Sequence, residues 1–408
     1  MASVCFYFQV HQPFRIKPYS FFEIGEINNY EFEQQNIDIL NGVSERCYLP
    51  TNELLLHLIE KSKGGFKIAF SISGTALEQF EKYRPDVLES FQKLAATGCV
   101  EFLAETYYHS LSFNFSINQF KHEVSKHRLK IERLFKQVPR VFRNTELIYN
   151  NDVAKVVEDM GFSGILCEGV DWFLNGASPN FLYSPPNAEH IKCFLKNHKL
   201  SDDIAFRFSN EAWNQFPLTA PKFSNWLGDL QNHSDIINLF MDYETFGEHQ
   251  HAESGIFNFL SCLPEEILKH EWLDTKTPSE ILTHFESKGI YDVESFTSWA
   301  DLERDLSAWM GNNLQRDALN RLYELGKSIS LIKNKALYDT WCKLQTSDHF
   351  YYMCTKSLAD GDVHQYFSSF DSPYDAYIYY MNLLKDLELT INYEKEIQKV
   401  EKSTSKIV

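Results

Sequence analysis

From Val4 to about residue 260, short apolar segments alternate with segments of helical period, and few architectures accommodate that rhythm. Candidate strands are 4–10, 66–72, 99–104, 141–143, 164–167, 192–195, 205–208 and 236–241, all enriched in Phe, Ile and Val. Several lack polar alternation, as expected of strands covered on both faces. Between them, 52–62 places Leu54, Leu55, Leu58 and Ile59 at helical spacing. The segment 85–97 begins on Pro85 and stops at Gly98, and 117–138 and 152–160 continue the series. Strands alternating with helices join most simply as parallel βαβ units. Seven or eight of them predict a closed or nearly closed barrel rather than an open sheet. Beyond about 270 the rhythm stops: 278–297 is weakly periodic, 301–344 and 372–401 are purely helical, and the polar tail from Tyr393 is expected to fray. The reading is an α/β chain, with a (β/α) barrel over 1–270 and a mostly helical region over 271–408. A length of 408 residues accommodates both.

In such barrels the reactive groups sit where strands end and the following loops begin. The first strand runs into "VHQPF", with His11 and Gln12. The third runs into "EFLAETYYHS", with Glu101, Glu105 and His109 around Tyr107 and Tyr108. After "RVF" comes "RNTELIYNN", with Arg143, Asn144 and Glu146, and Met241 is followed by Asp242 and Glu244. Four separate strand ends thus carry acids, imidazoles or amides.

Each residue also has a plain structural alternative. Glu146 is otherwise a loop or cap carboxylate. Asp242 is otherwise a helix N-cap, although Gly247 and the further acids delay the start of any helix. Glu244, Glu248 and His249 are otherwise solvated loop residues. Two acids on different strands of one rim can converge, and paired carboxylates cleave glycosidic bonds. A separation of about 5–5.5 Å gives retention and about 6.5–9.5 Å gives inversion. His11, His109, His249 and His251 with Asp242 have metal-ligand chemistry, but there is no H-E-x-x-H, the spacing is not decisive, and His249 and His251 would need an extended segment to face one side. A lone strand-end His more often hydrogen-bonds substrate, and no metal or other cofactor is expected. Phosphate-cradling glycine loops and a G-x-S-x-G elbow are absent from the sequence.

Composition narrows the partners. With 39 Lys and Arg against 56 Asp and Glu, the formal charge of −17 repels nucleic acid and anionic membranes and suits a neutral substrate. The aromatic share of 15%, with 33 Phe and 21 Tyr, means either a large core or a groove lined for sugar faces. No run of about 18 apolar residues predicts a transmembrane helix, and "MASVCFYFQVHQP" lacks the pattern of a signal peptide. The eight scattered cysteines include no C-x-x-C, so free buried thiols and a cytoplasmic location are expected.

In this order, the motifs resemble glycoside hydrolase family 57, in particular its α-amylase-like branch. "VHQPF", "GCVEFLAETYYHSL", "FRNTELIYNN", "MDYETFGEHQ" and "WCKLQTSDHFYYM" are similar to its five conserved regions and span residues 11 to 353. The resemblance implies an incomplete (β/α)7 barrel followed by a helical bundle region that contributes to the substrate groove. It implies a retaining double displacement on α-1,4-glucans without a metal cofactor, with Glu146 as nucleophile and Asp242 as general acid/base. Asp242 would then need a raised pKa, from neighbouring carboxylates or partial burial. His11, Glu105, Tyr107, His109, Glu244, His249, Asp348 and Tyr351 would line the substrate site. Tyr107, Tyr108, Tyr243, Phe246, Tyr351 and Tyr352 would be its stacking walls, with plain packing as the alternative for each. The expected activity is that of an α-amylase in starch or glycogen degradation. The competing expectations are a 4-α-glucanotransferase or branching enzyme on the same scaffold, a metal-dependent carbohydrate deacetylase, and a non-catalytic glucan-binding homologue.

Overall fold

The computed structural model describes residues 1–26, 29–356 and 368–404, with side chains to residue 400. The chain divides into two compact units. The first comprises Met1–Gln12, Ile37–Tyr107 and Lys121–Trp299, and the second Pro13–Asn36, Tyr108–Phe120 and Ala300–Val408.

Apolar runs in the first unit form strands β1 (Ala2–Val10), β2 (Ile68–Ile72), β3 (Val100–Phe102), β4 (Val141–Arg143), β5 (Gly164–Glu168), β6 (Leu182–Tyr183), β7 (Lys192–Lys196), β8 (Ile236–Asp242) and β9 (Leu273–Thr275). One sheet has the order β3-β2-β1-β8, with β9 also pairing β1, and the other has the order β4-β5-β7-β6. All pairings are parallel except β6 with β7. Every residue of β1 is buried, which is why it reads as an unbroken apolar run. Past β3, Ala104 makes a parallel bridge to Phe142 of β4. At the other side of the two sheets, the Asn197 N–H donates to the Asn238 carbonyl at 2.9 Å and the Asn238 amide to the Leu195 carbonyl at 2.8 Å. The register aligns Gln9 with Asp242 on one side and with Ser71 on the other.

Seven of the eight expected strands form close to their expected limits. The exception is 205–208. Asn197 caps a helix at His198–Ala205 by accepting from the Leu200 N–H, and this helix buries Ile204 while Phe208 is buried just beyond it. Of that window only Ala205 is helical, and 206–208 turn out of the helix that the Asn197 cap starts upstream. The short strands β6 and β9 were not anticipated. The helix Pro278–His284 starts on a capping box of Thr277 and Glu280 in the weakly periodic segment.

Aromatic packing fills much of this unit. Tyr243 lies edge-on to Phe70 at 4.9 Å, with Phe8, Phe91 and Tyr48 around it, and Phe246 packs on Phe8. Both are buried, Tyr243 fully, and the Tyr243 hydroxyl donates to Asn52 at 2.6 Å. Tyr243 and Phe246 are therefore core residues rather than stacking walls. Pairs of this kind add about 0.5–1.5 kcal/mol each beyond area burial.

The second unit is mainly helical, with helices Asn313–Ile329, Lys335–Lys343, Ser347–Tyr351 and Pro373–Thr404. The Trp341 indole donates to the Leu322 carbonyl at 2.8 Å, and Arg321 pairs with Glu388 at 2.6 Å. Asp386 accepts from the Tyr30 hydroxyl and the Gly25 N–H. Pro373–Thr404 continues through the polar tail, so 393–404 is helical where fraying was expected, and 405–408 lie outside the described residues. Among the described residues, no helix is long and apolar enough to cross a membrane.

Candidate active site

Strand β1 organises the site in the first unit. Near its end, the Gln9 side-chain oxygen accepts from the Tyr7 hydroxyl at 2.6 Å and from Ser71 at 2.7 Å, leaving the amide nitrogen to donate to Glu105 at 3.2 and 3.4 Å. A glutamine with its oxygen so occupied has its flip state fixed by the network. Tyr7 is the electrostatic meeting point: burial pushes its phenol well up, Arg143 opposes the shift, and Glu105 and Asp242 reinforce it. The ends of β1, β3, β4 and β8 therefore act on one buried hydroxyl.

Glu105 is fully buried. Its backbone N–H donates to His127 Nδ1 at 3.2 Å, while His127 Nε2 contacts the Ile72 carbonyl at 2.8 Å. That pattern requires the neutral tautomer with the proton on Nε2, in agreement with a His127 pKa lowered chiefly by burial. Glu101, in contrast, is a structural residue. Its carboxylate accepts from the Ser279 N–H at 2.8 Å and the Ser279 hydroxyl at 2.6 Å, at the start of the helix Pro278–His284.

Glu146 sits in the turn after β4 with φ 54° and ψ 29°, and Leu147 also has a positive φ of 51°. A left-handed non-glycine residue costs on the order of 1–2 kcal/mol, and such strain concentrates at functional positions. Two contacts with Trp299 hold it. The indole N–H donates to Glu146 Oε2 at 2.7 Å, and the Trp299 backbone N–H donates to the Glu146 carbonyl at 3.1 Å. Over the Trp299 ring lie the Arg143 guanidinium, 4.9 Å from the ring centroid, and the Lys196 ammonium at 5.3 Å. Arg143 is fully buried, and its guanidinium nitrogens find no hydrogen-bond acceptor among the described residues.

Asp242 ends β8. It precedes the short turn of helix Tyr243–Thr245 but makes no side-chain capping bond, so the N-cap alternative does not hold. Glu244 is buried, and burial first, then the Asp242 charge, pushes its carboxyl up to about 8. The Tyr48 hydroxyl donates to Glu244, and the Gln12 amide donates to Tyr48 at 3.1 Å. The His11 backbone N–H also reaches Glu244, while its ring nitrogen Nδ1 meets the Ser73 hydroxyl at 2.8 Å. His11 is thereby tied to the same carboxylate as the residues after β8.

The other expected residues are distributed as follows. His249 is half-buried, and its backbone N–H donates to the Glu244 carbonyl at 2.9 Å. Glu248 is taken by a bidentate pair with Arg46 at 2.8 and 3.0 Å, and His251 is exposed. Tyr107 is buried with its ring against Gly74 and Lys126, and its hydroxyl donates to Glu78 at 2.6 Å, an arrangement of packing rather than of an open stacking wall. His109, Asp348 and Tyr351 lie in the second unit. There His109 has φ 53° and its carbonyl accepts from the Ser347 N–H at 2.9 Å, beside a Ser110–Thr346 bridge. Asp348 raises the Tyr352 phenol by its charge, after burial. Tyr351 is buried edge-on to Trp309 at 6.2 Å. Among the described residues, no group of three or more His, Cys, Asp or Glu side chains is arranged to hold a metal ion. Gln9, Tyr48, Lys196 and Trp299 were not singled out in the sequence. Trp299 lies just past a weakly periodic segment, and nothing local marks it.

The arrangement offers one carboxylate held on an indole N–H and another beside a protonated acid, both after parallel strands. The chain is 44% identical over 404 residues to a Methanocaldococcus jannaschii protein described as "Putative alpha-amylase", covering 95% of this chain and 84% of that protein. Its fold is similar to a family 57-type branching enzyme from Pyrococcus horikoshii, at TM-score 0.69 and 15% identity over 90% of this chain and 87% of that one. It is also similar to the α-amylase AmyC from Thermotoga maritima, at TM-score 0.61 and 13% identity over 97% and 96%. A further likeness is the 4-α-glucanotransferase of Thermococcus litoralis, at TM-score 0.67 and 16% identity over 86% of this chain, which spans 56% of that enzyme's length. The model of Glycosyl hydrolase family 57 matches residues 5–294, from β1 through the strands that carry Glu146 and Asp242, and the chain belongs to that family.

Proposed function

We propose that the protein hydrolyses α-1,4-glucans as an α-amylase-type retaining glycosidase. Glu146 attacks the anomeric carbon while Asp242 donates its proton to the departing glycosidic oxygen, so that the C1–O bond breaks as the glycosyl ester forms. Asp242 then removes a proton from water, which attacks the same carbon and releases Glu146 as carboxylate. Family membership and the glucan-acting enzymes of similar fold support the substrate class. The observation that carries the assignment of roles is the contrast between the two acids. Glu146 is fixed by the Trp299 indole N–H, as suits a nucleophile. Asp242 ends β8 without a capping role, two residues before the buried Glu244 carboxyl, which is pushed up to about 8.

The strand neighbours support reading the scaffold as a (β/α)7 barrel. Around the first unit the succession is β1, β2, β3, β4, β5, β7, β8 and back to β1, with the Ala104–Phe142 bridge and the Asn197–Asn238 contact as the joins. Eight free cysteines, seven of them buried, fit a reducing, cytoplasmic setting.

The test is incubation with maltoheptaose and with amylose, products being separated by length, alongside Glu146→Gln and Asp242→Asn and with and without a chelator. Shorter products from the parent protein alone, indifferent to chelator, are expected. Products longer than the substrate would move the assignment to a glucan transferase. Loss of activity with chelator would overturn the two-carboxylate mechanism.

A further inference from the structure

Trp299 is the last residue of the first unit, and its indole N–H donates to the Glu146 carboxylate. The contact is built rather than incidental. Side chain and backbone both engage the same residue, Oε2 at 2.7 Å and the carbonyl at 3.1 Å, and that residue has a backbone conformation that the turn alone does not favour. The neighbouring carbonyl pairings of Tyr149 with Thr297, at 3.0 and 2.8 Å, run the 297–299 segment alongside the turn after β4 and fix where the indole points. The ring itself is loaded with two cations, Arg143 and Lys196. Cations over an aromatic face are attracted by its quadrupole, and they draw electron density from the ring, which makes the N–H a stronger donor. Lys196 is in turn anchored by Asp202 at 3.0 Å and Glu168 at 3.7 Å.

We propose that Trp299 is a positioning residue for Glu146, its cation-loaded indole N–H fixing the carboxylate group and keeping it in the charged form that nucleophilic attack requires. The proposal rests on the reading of Glu146 as nucleophile. An N–H donated to a carboxylate favours its ionised form, and a reacting atom misplaced by a fraction of an ångström loses rate steeply. Trp299 forms no bond to substrate in this role. It acts through Glu146 alone.

Two measurements test it, one independent of turnover. In the ¹⁵N–¹H spectrum of the indole groups, the Trp299 signal is identified by its loss in Trp299→Phe, which keeps an aromatic ring beneath the cations. The signal is expected to move with pH in the parent protein and to lose that pH dependence in Glu146→Gln. An indole signal that is the same in both proteins at every pH would overturn the contact. In kinetics, Trp299→Phe is expected to lower kcat on maltoheptaose by roughly 10–100-fold, as for removal of a positioned donor, with KM changed less than about threefold. The acidic limb of kcat/KM should move to higher pH. Lys196→Met, which removes one cation and keeps the stem, should move the limb the same way by less. An unmoved limb in Trp299→Phe would overturn the role even if kcat fell. Rescue of Glu146→Ala by azide reports separately on the nucleophile: an indole signal that follows Glu146 without azide rescue keeps the contact and removes the assignment of Glu146.

Discussion

Glu244 and Asp242 stand two residues apart at the end of β8, and the buried carboxyl of Glu244 is pushed up to about 8 by burial and then by the Asp242 charge. The Tyr48 hydroxyl and the His11 backbone N–H donate to Glu244 and oppose the shift without cancelling it. At neutral pH Glu244 is therefore mostly protonated, and a full second negative charge does not develop beside Asp242. The His11 backbone N–H and the Gln12–Tyr48 bond link the loop after β1 to the acid after β8.

This relationship sets a pH dependence of stability. A carboxyl whose folded-state pKa is raised binds protons more tightly when folded, so its contribution is fully present below about 4.5 and is lost as pH rises through about 8. Glu244→Gln keeps an acceptor for Tyr48 and cannot ionise. Thermal unfolding of the two proteins between pH 5 and 9 is expected to diverge with pH, the variant gaining on the order of a few kcal/mol relative to the parent by pH 8–9. Parallel melting curves would show that Glu244 titrates normally.

Asp242→Asn removes the proposed proton donor without adding bulk. Turnover of maltoheptaose is expected to fall by about 10²–10⁴, the usual range for general acid–base catalysis. Binding of the same sugar, followed by titration calorimetry, should change little. A large loss of affinity would make Asp242 a binding residue instead.

Gly247, between the fourth-motif residues, has φ +105°, and a Cβ there would stand 2.0 Å from the Arg46 carbonyl oxygen. Since that neighbour is backbone, Gly247→Ala has no cheap relief. Denaturant unfolding is expected to show a loss of about 2 kcal/mol or more, from strain at positive φ and from displacement of the chain at Arg46. The bidentate Arg46–Glu248 pair should be disturbed with it.

Tyr107→Phe separates packing from sugar stacking. The ring keeps its place against Gly74 and Lys126 while the hydroxyl bond to Glu78 is removed. The expected result is a stability loss of about 0.5–1.5 kcal/mol and a kcat/KM within twofold of the parent. A marked rise in KM would return Tyr107 to the substrate surface.

Much of the first unit was legible locally. The unbroken apolar runs of β1, β2 and β8 announced strands buried on both faces, and Pro85 and Gly98 bounded their helix, because periodicity and caps are properties of neighbouring residues. The same locality misled at 205–208, where the helix capped by Asn197, several residues upstream, ends and the chain turns. It placed acids at strand ends without distinguishing them. Glu101 caps a distant helix and Glu248 is taken by Arg46, whereas Glu146 is held by the Trp299 indole N–H and Asp242 makes no capping bond, and contacts between distant segments make that difference.

The sequence by itself determined the βα rhythm, the family and the identity of the acids at the strand ends, since each is written in short windows of residue type and spacing. The tertiary structure decided which aromatics are core, that segments 13–36 and 108–120 join the helical unit, and that Trp299 meets Glu146 across 153 positions of chain. Those outcomes depend on burial and on pairings between distant segments, and no local pattern of side chains encodes them.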